Sequence, residues 1–71
     1  MDLKDFKVKT ITYPHGEYRL GAPVSIIDEG AFYRIDSTHI IDKFKINNTV
    51  LSGNKLTIEM ADKVVVLEVV Q

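Results

Sequence analysis

The chain predicts an all-β domain, a small and strongly bent antiparallel sheet of about five to six short strands, and three observations carry that prediction. Turn-forming residues recur at short intervals between apolar runs. Apolar and polar side chains alternate within those runs with the period of a strand. Three turns in the C-terminal half set the apolar residues on one common face, which an accidental pattern would not do.

The first segment, Phe6 to Tyr13, places Phe6 and Val8 on one face but Ile11 and Tyr13 on the other, so a bulge or bend near Lys9-Thr10 is expected. Pro14-His15-Gly16 ends it, and Glu17-Tyr18-Arg19-Leu20 leads on. Gly21 fits a sharp entry turn, with Pro23 at the start of the next strand, where its missing N–H costs least. Glu29-Gly30 then reads as a turn joining Val24–Asp28 to Ala31–Asp36, with Val24 facing Ile35 and Ile26 facing Tyr33. Ser37 is a candidate cap for at most one short helical turn near residues 37–41, where the β-branched residues disfavour anything longer.

In the C-terminal half, Asn47-Asn48 reads as a two-residue turn that sets Ile46 opposite Thr49 and Phe44 opposite Leu51. Gly53-Asn54 is the next turn and sets Leu51 opposite Leu56. Leu56, Ile58 and Met60 then alternate with Lys55, Thr57 and Glu59. A third turn at Ala61-Asp62 puts Ile58 against Val65 and Leu56 against Leu67. One face therefore collects Phe44, Ile46, Leu51, Leu56, Ile58, Val65, Leu67 and Val69.

The segment from Tyr18 to Gly30, with a glycine before an apolar alternating strand and an acidic-glycine turn after it, resembles the opening of small Src-homology-3-like barrels. The resemblance covers that segment alone and implies a small, strongly bent barrel. Its elements are ordinary turn chemistry, and no functional residue carries over from it. The aromatic groove and acidic loop that such domains use for proline-rich peptides are not evident, since the chain has no Trp and its acids are scattered.

Composition bounds the function. With 71 residues the chain reads as one domain, 1–71. Its 45% hydrophobic and 27% charged residues are the balance of a folded domain. There is no cysteine, so neither a disulfide framework nor a thiolate zinc site is expected. No signal-peptide pattern opens the chain and no apolar run approaches a membrane span, so the expectation is a cytoplasmic protein without membrane contact. Nine Lys and Arg against ten Asp and Glu give a net charge of −1, with signs mixed along the chain. Such a balance exerts no long-range pull on phosphate backbones, and nucleic acid is disfavoured as a partner.

The sequence predicts no enzyme and no cofactor. His15 and His39 have no ligand-like neighbours in sequence, so no metal site is expected. Ser37-Thr38-His39 sets hydroxyls beside an imidazole without any nucleophile elbow, and reads as a capping Ser and a surface His. Asp28, Glu29 and Asp36 read as turn formers, and the glycines form no phosphate-binding series.

Surface features remain. Val64, Val66 and Val70 point away from the expected core, as do Ile27 and Phe32. Either the barrel closes over them, through the N-terminal strand or the turn near Ile40, or the valine-rich last strand pairs edge to edge in a homo-oligomer. Tyr13, His15, Tyr18, Arg19, Phe32 and Arg34 are aromatic and basic residues near turns, types enriched at interfaces, while Tyr33 belongs partly to the core. Size, charge and missing chemistry together predict a non-enzymatic module that binds a protein partner by contact or steric occlusion, the kind of small frame that phages and mobile elements carry as accessory proteins. A self-associating structural subunit is the alternative. A single-strand nucleic-acid binder, stacking bases on Tyr13, Tyr18, Phe32 and Tyr33 beside Arg19, Arg34, Lys43 and Lys45, ranks third.

Overall fold

The computed structural model describes residues 3–70 and shows an all-β protein built from two antiparallel sheets. A 3-10 turn at Leu3–Asp5 precedes strands β1 (Lys7–Tyr13), β2 (Gly16–Ser25), β3 (Ile27–Asp28), β4 (Phe32–Arg34) and β5 (Ile40–Asp42). A second 3-10 turn at Lys43–Lys45 leads to β6 (Ile46–Ser52), β7 (Lys55–Met60) and β8 (Val64–Val70). One sheet has the order β2-β1-β8-β7-β6 and the other β3-β4-β5. Both contribute to one core, in which Ile26, Ile35 and Ile41 join Val8, Ile11, Leu56, Ile58, Met60, Val65, Leu67 and Val69.

The β7–β8 hairpin has the predicted register, Ile58 opposite Val65 and Leu56 opposite Leu67. Gly53 sits at φ +61 in the β6–β7 turn, with Leu51 opposite Leu56. That conformation costs an L-residue free energy that glycine avoids. The expected bulge in β1 is present at Lys9: Val8 pairs with Val69 and Thr10 with Glu68, so Lys9 is the extra residue. This one insertion lets Val8 and Ile11 both turn inward. Each is 0% exposed.

Other expectations are corrected. Asn47-Asn48 is not a turn but part of β6, with a register irregularity between Ile46 and Asn48. A primed turn there would need positive φ, and among the described residues only Gly30 and Gly53 adopt it. Phe44 accordingly never reaches the core. It sits in the 3-10 turn, 86% exposed, where Asp42 caps the turn by accepting the Phe44 N–H at 2.9 Å. That turn follows β5, whereas residues 37–41 form a loop and the start of a strand. Gly21 and Pro23 do not open a new strand either. They lie inside β2, where Leu20 to Pro23 bulge outward opposite Lys9. The turn at Glu29-Gly30 is wider than predicted, since Asp28 faces Tyr33 and Ile27 faces Arg34, while Val24 pairs instead with Val8.

β8 is not an edge. β1 pairs along one side of it and β7 along the other, so its backbone groups are used within the chain and edge-to-edge self-pairing through β8 is excluded. The N-terminal strand thus extends the sheet and does not fold over it. The outer face stays open: Val64 and Val70 are 47% and 41% exposed, Val66 is half-buried, and Ile27 is exposed on the smaller sheet. Among the described residues, no helix is long and apolar enough to cross a membrane.

Candidate functional site: an aromatic and histidine cluster

The two-residue link Pro14-His15 joins β1 to β2 with Tyr13 opposite Gly16, and the tight reversal brings Tyr13, His15 and Tyr18 to one end of the sheet. Tyr13 stacks on His15 at 5.5 Å between ring centroids and meets Tyr18 edge-on at 5.6 Å. The Tyr18 hydroxyl and His15 Nε2 lie 3.3 Å apart. The fourth ring is His39, stacked on Tyr13 at 5.8 Å and edge-on to Tyr18 at 4.8 Å. Offset and edge-on contacts at these distances suit the ring quadrupoles and fix the rings relative to one another. Lys63, just before β8, places its ammonium 5.3 Å from the centre of the Tyr13 ring. At that distance the cation is attracted to the negative face of the ring.

Asp36 holds His39 in place. Its Oδ1 accepts the backbone N–H groups of Thr38 at 2.8 Å and His39 at 2.7 Å, and the Thr38 hydroxyl at 3.1 Å. The His39 ring Nδ1 lies 3.2 Å from the same oxygen. This is the local turn that Asp forms with the backbone two residues on. The bonds, the Thr38 N–H first among them, hold the Asp36 carboxyl below the ordinary Asp range. Tyr13 shifts the other way: burial, then the negative charge of Asp36 and the neighbouring Tyr18, raise its phenol above the usual value. Tyr13 therefore stays a neutral hydroxyl through the physiological range. Between these rings and Ile40 lies a shallow concavity of about 350 Å³.

The predicted partner-binding residues are thus only partly brought together. Tyr13, His15 and Tyr18 form the cluster. Arg19 is exposed elsewhere on β2 and pairs with Glu17 at 3.1 Å. Arg34 pairs with Glu29 at 3.3 Å, and Phe32 is half-buried opposite Asp42. Tyr33 lies beneath Lys43, whose ammonium is 4.7 Å from the ring centre and 2.6 Å from Asp28. His39, Asp36 and Lys63 were not foreseen as members. The Asp36-x-Thr38 spacing carried a signal for the turn, but nothing in sequence linked that turn to Tyr13.

Rings, hydroxyls and imidazoles together offer stacking surface, hydrogen bonding and one nearby ammonium. Among the described residues, no group of three or more His, Cys, Asp or Glu side chains is arranged to hold a metal ion. The fold and this cluster define a small all-β domain with an aromatic surface site. Comparison with models of known families, with curated proteins and with solved structures finds no match in any of the three.

Proposed function

We propose that this protein is a non-enzymatic binding module that docks a protein partner on the Tyr13, His15, Tyr18 and His39 cluster. The observation that carries this reading is the ring array itself. Two sequence-distant segments, the β1–β2 turn and the loop before β5, converge so that both His15 and His39 pack on Tyr13 and Tyr18, with Tyr18 left 41% exposed. Tyr contributes a rigid, amphipathic surface at small entropic cost, which is why it recurs at binding hot spots. The Lys63 ammonium and the imidazole and phenol groups favour a partner that brings carboxylate or carbonyl oxygens. The open, shallow shape of the site supports action by contact or occlusion.

The test is affinity capture from the source organism's lysate with wild type, Tyr18→Ala and Arg34→Ala. The expected result is a partner retained by wild type and Arg34→Ala and lost by Tyr18→Ala, with all three showing the same far-ultraviolet spectrum. Equal retention by Tyr18→Ala would remove the cluster from the interface. The nucleic-acid reading is weakened by the charge pairing: Arg19, Arg34 and Lys43 each already face a carboxylate.

A further inference from the structure

The five-stranded sheet ends in two edges of different character. On one, β2 carries Glu17, Arg19 and Pro23 and bulges outward at Leu20 to Pro23. Charges, proline and bulges on an edge are the features that prevent pairing with another chain. The other edge, β6, reads Ile-Asn-Asn-Thr-Val-Leu-Ser, with no charge and no proline along its length. β7 occupies one side of β6, and among the described residues no backbone hydrogen bond satisfies the other side of Asn48 to Leu51.

Counting outward from the two-residue turn at Gly53-Asn54, Ser52 and Lys55 form the closing hydrogen-bonded pair, and the pattern alternates from there. Thr49 and Leu51 therefore turn their N–H and C=O groups away from β7, toward the open edge. Beside the same stretch lies a groove of about 400 Å³, with Leu3, Tyr33 and Ile46 on its apolar side, Lys43 next to them and Asn47 to Thr49 along the strand.

We propose that β6 is a self-association edge, pairing antiparallel with the β6 of a second copy so that the two five-stranded sheets become one. An antiparallel strand pair is its own two-fold symmetry mate, so one edge is enough to build the contact. With the axis at Thr49, Leu51 of each copy falls opposite Asn47 of the other. Leu51 is only half-buried within its own chain, on the inward face, and the register carries it toward the Leu3, Tyr33 and Ile46 groove. The uncharged strand brings no like charges into direct opposition when it meets its own copy. The partner site at Tyr13 and Tyr18 lies on β1 and β2, across the sheet from β6, and stays available.

The test is sedimentation of the full chain across a wide concentration range, with Val50→Lys, Thr49→Pro and Val66→Lys beside wild type. Val50 is exposed and its lysine blocks edge pairing, while proline at Thr49 removes an outward N–H that β7 does not use. The expected result is a sedimenting mass that doubles with concentration for wild type and Val66→Lys. Both β6 variants should remain at the monomer mass with an unchanged far-ultraviolet spectrum. Amide exchange at Thr49 and Leu51 should slow in step with the doubling. A wild type that stays monomeric at every concentration overturns the proposal. So does a dimer that persists in Val50→Lys, or one that Val66→Lys abolishes while Val50→Lys does not.

Discussion

Leu56 and Leu67 face each other across β7 and β8, both 0% exposed, at the centre of the five-stranded sheet. Each packs into a core shared by both sheets, so neither side chain is dispensable for either layer. Truncating Leu56→Ala or Leu67→Ala is expected to cost about 2–5 kcal/mol each, enough to unfold much of a small domain. Urea or thermal melts measure this, and a loss under about 0.5 kcal/mol would place the site on the surface.

Val66 gives the opposite expectation. It is half-buried on the open outer face, beside exposed Val64, so a lysine there keeps its ammonium in water. Val66→Lys should shift stability by less than about 1 kcal/mol, whereas closure of a second layer over the valines would have cost several. A thermal melt of the variant against wild type decides it.

Two glycines that look alike in sequence should behave differently. Gly53 has φ +61, a conformation that a Cβ disfavours. Gly53→Ala is therefore expected to destabilise by roughly 1 to roughly 2 kcal/mol. Gly21 has no positive φ and open space where a Cβ would stand. Gly21→Ala should accordingly be neutral or stabilise by up to about 1 kcal/mol. Parallel melts of the two variants check the contrast.

Acid sensitivity should trace in part to Asp36. Its folded pKa lies below its ordinary value, held there first by the Thr38 N–H, so the native state binds this proton less readily than the unfolded chain. The stabilisation is therefore complete above the unfolded value of about 3.9 and disappears as pH falls through the folded value. Asp28, bonded first to the Lys43 ammonium, acts in the same direction. Asp36→Asn retains an acceptor oxygen for Thr38 but cannot be protonated, so its stability should fall less steeply in acid than that of wild type. Denaturant melts at descending pH compare the slopes, and parallel slopes would assign the acid limb to other carboxylates.

The meander from Leu51 to Val69 was legible in the sequence because three local signals agreed there: a glycine turn, strict alternation and a single apolar face. The bulge at Lys9 was legible for a related reason, since Val8 and Ile11 can share a core only if the chain gains one residue between them. Local chemistry failed at Asn47-Asn48, where turn propensity is real but the chain gains more by continuing β6 alongside β7. Phe44 was misplaced as a consequence, because its face followed from that turn.

What only the tertiary structure decided is long-range pairing. The sequence determined that Val64, Val66 and Val70 share a face, but not that β1 would take the open side of β8 and move the free edge to β6. Nor did it place His39 against Tyr13 and Tyr18, a contact between segments that no periodicity connects. Alternation and turn residues encode which way a side chain points relative to its neighbours in the chain. Which strands become neighbours is set by the burial of the whole apolar set at once, and that sum belongs to the folded molecule.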